Sequence, residues 1–146
     1  MLAVKTYSRD YVDQCRARVE SQLARYRALV SAARDLATDQ VSPLERAFGE
    51  FYPVFFNTQV VVLDGYFANR LRAAEGKDGN PANEVRVLTA SILENGGILA
   101  ADSTIALKPE SSVLGLEVGD PVVVTEEKFM HLAFAYFSEI EARYGE

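Results

Sequence analysis

Residues 53–76 read PVFFNTQVVVLDGYFANRLRAAEG, and this stretch decides the fold. When successive residues are placed about 100° apart, its apolar positions cover well over half of a helix circumference. These positions are Phe55, Phe56, Val60, Val62, Leu63, Tyr66, Phe67 and Leu71. Because so wide an apolar arc is normally central, we predict a long central helix that continues to about Gly76. Pro53 should kink this helix or separate a shorter helix from it.

Three other helices are predicted around the central one. The first spans about 9–35 and carries one apolar stripe bordered by arginines. Ser42 begins a capping box at the start of the segment that leads into the central helix. Asn80 precedes a proline and predicts the cap of another helix, which should end near Asn95. Thr125 should cap the last helix, since two glutamates follow it in the first turn.

The segment before the last helix has a different character. Thr104–Leu107 and Val113–Leu116 alternate between apolar and polar residues, and Val122–Val124 is β-branched throughout. We therefore expect a small antiparallel β element there. The predicted fold class is mainly α, with about four principal helices packed around the long central helix and this β element before the last helix.

Composition limits the classes of protein to which the chain can belong. Its 146 residues suit one globular domain, 1–146. The net charge of −6 disfavours binding to nucleic acid. Charge is uneven, because residues 1–36 hold seven basic and four acidic residues, whereas residues 109–146 hold two and eight. The apolar stretch is interrupted by polar residues, so no membrane span is expected. We predict a cytoplasmic protein.

No catalytic or metal-binding motif is apparent. A structural zinc site usually needs four Cys or His ligands, and the chain has one of each, Cys15 and His131. Cys15 lies in the apolar stripe of the first helix, which is typical of a core cysteine. His131 projects away from the apolar face of the last helix and should be exposed. We therefore predict no catalytic residue, no metal and no cofactor.

Two polar residues conflict with a purely apolar packing role for the central helix. Gln59 and Arg70 project into the middle of its apolar arc, near Tyr52 and Tyr66. A buried charge costs several kcal/mol unless it is paired, so Arg70 needs a carboxylate partner, a route to solvent or an anionic ligand. Tyr52, Gln59, Tyr66 and Arg70 are therefore the candidate ligand-binding residues.

The run from Arg70 to Arg86 is unusually polar for a junction between two core helices. Such a cluster could bind a small anion, or it could form a turn that internal ion pairs lock. Of these two interpretations, we favour the locked turn.

Several stretches resemble a family of small uncharacterised actinobacterial proteins. The similar stretches are Leu63–Phe67, Glu75–Pro81, Asn83–Arg86, and Val118–Asp120 followed by the last helix. The resemblance would span most of the chain. It implies no activity, cofactor or catalytic residue, because none is assigned to that family.

Two hypotheses of function remain. The first is a non-enzymatic structural or interaction protein that forms a homo-oligomer, most simply a homodimer. It rests on the arginine-lined first helix and on Met130 and Phe134, which widen the apolar arc of the last helix to roughly 200°. The alternative is a binding protein or enzyme for a small anionic ligand, with a pocket beside the 53–76 helix.

Overall fold

The computed structural model describes residues 2–36 and 41–146, with side chains in the second range from residue 43. The helices in these ranges are α1 (Arg9–Leu36), α2 (Val41–Gly65), α3 (Arg72–Glu75), α4 (Pro81–Glu94) and α5 (Glu126–Tyr144). The mainly α prediction is thus confirmed. The predicted cap at Ser42 lies outside the described side chains.

Two predicted helix starts are confirmed by their capping hydrogen bonds. Asn80 Oδ1 accepts hydrogen bonds from the backbone N–H groups of Ala82 and Asn83, at 3.0 and 3.1 Å. Thr125 Oγ1 accepts one from the Lys128 N–H at 3.2 Å. Each cap satisfies N–H groups that the first turn of a helix leaves without a partner.

The central helix differs from its prediction at both ends. α2 is continuous through Pro53 and ends at Gly65, so of the two alternatives predicted at the proline the separation is wrong, and so is the continuation to about Gly76. After Gly65 the chain turns and then pairs with the N-terminal segment. Val4 donates a hydrogen bond to the Asn69 carbonyl and accepts one from the Leu71 N–H, each at 2.8 Å. These bonds hold the backbone in a non-helical path before α3.

The predicted antiparallel β element is also wrong. The described residues contain no strand, and the segment before α5 forms a single isolated bridge, between Ile98 and Pro121. Three backbone N–H groups bond within the segment, around this bridge, and others bond to other parts of the fold. The Ala106 N–H donates to the Lys77 carbonyl at 2.9 Å, and the Val124 N–H donates to Asn57 Oδ1 at 3.2 Å. Alternating apolar residues here reflect contact with the helices instead of strand pairing.

The core lies where α2, α4 and α5 meet, and α1 packs against α2 and α5. Its largest fully buried side chains include Phe56, Leu63, Phe67, Phe129 and Tyr136. Burying each such side chain contributes roughly 1.5–3 kcal/mol relative to leaving it in water. The apolar arc of α2 therefore does place it at the centre of the fold.

Charge complementarity joins the first and last helices. Arg16 on α1 forms an ion pair with Glu141 on α5 at 2.5 Å, and Arg27 pairs with Glu126. The basic first segment and the acidic last segment thus attract each other within one chain. In the described ranges, no helix has both the length and the apolar character needed to cross a membrane.

Candidate functional site

A cluster of buried polar side chains lies between the end of α2 and the start of α4. We call it the polar hub and define it as Asp64, Arg70, Glu75, Asn83 and Arg86. Its position follows from the local structure. The turn after α2 places Arg70 inside the protein, and the single helical turn of α3 returns Glu75 towards it, where both side chains are fully buried.

Arg70 is the central cation of the polar hub. Its Nε donates to Glu75 Oε1 at 2.5 Å, and Nη1 donates to Asp64 Oδ1 at 2.9 Å. The remaining bonds go to the Tyr136 hydroxyl and to the carbonyls of Phe67 and Ala82, at 3.0–3.1 Å. Burial opposes the charge, but these negative and polar neighbours outweigh it, so the pKa of Arg70 is raised. Arg70 is paired within the protein.

Glu75 is the buried anion of the polar hub. Besides Arg70, it accepts hydrogen bonds from Arg86 Nη2 at 2.8 Å and from Asn83 Nδ2 at 2.9 Å. Burial would raise its pKa, but hydrogen bonds from Arg86 and the charges of both arginines lower it. A carboxylate that is held ionised and accepts several hydrogen bonds is a poor general base, because its proton affinity is low.

The turn that enters α4 locks the polar hub in place. Asn80 Nδ2 donates to the Glu75 carbonyl at 2.7 Å, so the residue that caps α4 also holds α3. Gly79 has a φ of +84°, and a Cβ atom there would collide with the Ala106 carbonyl. Its N–H donates to Asn83 Oδ1 at 3.0 Å. The geometry of this run is thus that of a turn locked by internal ion pairs and hydrogen bonds.

The four predicted ligand-binding residues do not come together. Tyr52 and Tyr66 are separated by fourteen positions, which is about 21 Å along a helix. Gln59 is half-buried between them, and Arg70 is enclosed in the polar hub. The half-buried Tyr66 accepts a hydrogen bond from the Tyr11 hydroxyl through its backbone carbonyl, at 2.6 Å. These residues therefore do not line one pocket.

Tyr52 lines a cleft beside the middle of α2. The cleft has a volume of about 420 Å³ and lies between α1, α2 and the start of α5. Its cation Arg34 pairs with Glu45 at 3.1 Å and donates to the Tyr52 hydroxyl at 3.3 Å. Because Arg34 is already paired with a carboxylate of the same chain, the cleft gives little support to the binding of an anionic ligand.

Cys15 and His131 lie in different environments. Cys15 is fully buried, and burial raises the pKa of its thiol. A thiol with a raised pKa is a weak nucleophile at neutral pH. His131 is exposed on α5. Among the described residues, no three His, Cys, Asp or Glu side chains are close enough together to hold a metal ion.

An apolar groove of about 210 Å³ runs between α1 and α5, and we call it the α1–α5 groove. Its lining residues are Arg16, Val19, Glu20, Leu23, Met130, Ala133, Phe134 and Phe137. Phe134 is 78% exposed at its edge, and Met130 is 40% exposed. The rest of the broad α5 arc is buried against other helices of the same chain. Phe134 is thus the part of the arc that the fold leaves most uncovered.

Sequence reasoning missed a buried carboxylate on α4. Glu84 is 2% exposed and accepts hydrogen bonds from the N–H groups of Val113 and Leu114, at 2.7 and 2.9 Å. Burial raises its pKa, although the two N–H donors partly offset the effect. A signal was present, since Glu84 lies four positions before Leu88 and therefore on the same helix face.

Comparison with protein-family models, with curated proteins and with solved structures finds no match for this chain. The resemblance to small actinobacterial proteins therefore stays a prediction.

Proposed function

We propose that this protein is a non-enzymatic interaction protein that forms a homodimer through the α1–α5 groove. The observation that carries the proposal is Phe134, a large aromatic side chain that is 78% exposed beside an apolar groove on the same face. A two-fold interface requires one patch that is complementary to itself. A projecting ring next to a groove meets this requirement, since each ring can enter the groove of the other copy.

The cation that lines the groove does not oppose the approach of a second copy. The guanidinium of Arg16 lies over the Phe137 ring, 5.2 Å from its centre, and is paired with Glu141. Because this charge is already compensated, covering it requires no new partner.

Chemistry elsewhere in the chain supports a role in binding more than in catalysis. The charged side chains of the polar hub are paired with one another, so none of them is free to act as a base or to bind a substrate. Cys15 is buried and cannot reach a substrate in solution. We further propose a cytoplasmic location. We also propose that the protein makes no direct contact with nucleic acid, because its net charge of −6 repels the phosphate backbone. The same charge predicts that the homodimer tightens as salt rises, since screening reduces repulsion between two acidic copies.

Sedimentation analysis of Phe134→Lys tests the interface. The wild type should be a dimer at tens of micromolar. The dissociation constant of the variant dimer should be at least about 30-fold higher, because a central aromatic residue typically contributes about 2 kcal/mol or more to the binding free energy. Leu93→Lys is the matched control, since Leu93 is also an exposed helix residue, at 64%, but lies outside the groove. A monomeric wild type would refute the proposal, as would a Phe134→Lys dimer as stable as the wild type.

A further inference from the structure

A second apolar cavity lies between α4 and residues 99–118, with a volume of about 130 Å³. None of its lining residues belongs to the α1–α5 groove. Its apolar walls are formed by Val87, Leu99, Ile105, Leu107, Pro109, Leu116 and Val118. Val87, Leu99 and Ile105 form the deepest part and are between 2 and 6% exposed. The cavity is therefore a recess that extends into the core.

The charged groups of this cavity lie at its exposed rim. Asp102 and Glu117 are the charged residues in its lining. Asp102 Oδ1 accepts hydrogen bonds from the Thr104 N–H and hydroxyl and from the Ile105 N–H, at 2.7–3.0 Å. The Glu117 side chain is exposed. Water in a cavity needs two to four polar partners, so the deep apolar part of this one is expected to stay dry.

Hydrogen bonds on several sides hold the cavity open. Glu84 secures the N–H groups of Val113 and Leu114, and the Ala106 N–H donates to the Lys77 carbonyl at 2.9 Å. The Ala100 N–H donates to Ser91 Oγ at 3.1 Å. These bonds fix the position of the segment relative to α4 and to the turn before it, and a shift that broke them would leave polar groups without partners. The space is therefore built into the fold.

We propose that this cavity is a binding site for a small, uncharged apolar molecule or apolar ring of about six non-hydrogen atoms. An engineered apolar cavity of about 150 Å³ in another protein stays dry and binds benzene, which sets the size of ligand that fits. The deep walls present the aliphatic side chains of Val87, Leu99 and Ile105, so they favour an apolar ligand over one that carries a hydroxyl or a charge. The proposal is independent of the homodimer.

Titration of the wild type with benzene and with phenol, followed by methyl NMR, tests this site. Benzene should saturate and shift the methyl signals of Val87, Leu99 and Ile105. Phenol should bind at least about tenfold more weakly, because its hydroxyl would lose water without gaining a partner. Val87→Phe fills the cavity and should weaken benzene binding at least about tenfold. Leu93→Phe is the control on α4 and should bind benzene as the wild type does.

Three results would overturn the proposal. The first is a wild type whose signals do not saturate with benzene, and the second is a set of shifts confined to the α1–α5 groove. The third is unchanged binding by folded Val87→Phe. If that variant does not fold, Leu116→Phe fills the same space from the opposite wall, and the wild-type map still decides the location of the site.

Discussion

Replacing Arg70 with methionine removes the central cation of the polar hub while keeping a side chain of similar length. The change deletes a guanidinium that is fully buried and that pairs with Glu75 at 2.5 Å and with Asp64 at 2.9 Å. It also leaves the buried hydroxyl of Tyr136 without this donor. The perturbation therefore separates buried carboxylates from their cation without changing the apolar core.

The expected loss follows from the partners that remain. Removing one member of a buried ion pair typically costs about 3–5 kcal/mol, because the other charge stays buried. Glu75 keeps Arg86, at 2.8 Å, and Asp64 is 16% exposed and can regain some water. We therefore expect the lower end of the range, about 3 kcal/mol. For a chain of this size the melting temperature should fall by roughly 6–12 °C.

Urea unfolding followed by circular dichroism measures this loss as a lower midpoint at an unchanged slope. Arg72→Met is the matched control, since Arg72 is 53% exposed and lies 4.0 Å from Glu75. An exposed pair of this kind contributes at most about 1 kcal/mol. An Arg70→Met loss below about 1 kcal/mol, or one no larger than the loss in the control, would refute a structural role for the buried cation.

Two other predictions concern the turn and the buried carboxylate. Gly79→Ala should destabilise the protein by more than about 2 kcal/mol, since positive φ costs about 1–2 kcal/mol and its Cβ would also meet the Ala106 carbonyl. Gly96 also has a positive φ, +62°, but a Cβ atom there would meet open space, so Gly96→Ala should lose only the stability that positive φ costs. Equal urea midpoints for the two variants would contradict a steric contribution at Gly79. Glu84 has a raised pKa, so the folded state binds its proton more tightly and the contribution of Glu84 to stability should fall as pH rises above 4.5. The free energy of unfolding of Glu84→Gln, measured in urea, should therefore lie further below that of the wild type at low pH than at high pH. A difference that grows as pH rises would contradict the raised pKa of Glu84.

The sequence by itself determined the elements whose signals are local. Asn80 and Thr125 each cap a helix through groups two or three residues away, so their roles can be read without knowing the fold. The stripe on α1 and the apolar arc of α2 likewise depend only on spacing. The sequence also singled out Arg70 as a charge that needs a partner, because its position conflicts with the apolar arc.

Only the tertiary structure decided where partners distant in sequence would meet. Beyond the end of α2 at Gly65 the chain bonds to Val4, and in the region before α5 the N–H groups of Val113, Leu114 and Val124 bond to the side chains of Glu84 and Asn57 instead of to a neighbouring strand. The partners of Arg70 likewise depend on how α3 returns the chain. A backbone group or charge takes its partner from whatever the fold brings within about 3 Å, and that proximity is set by packing of whole helices.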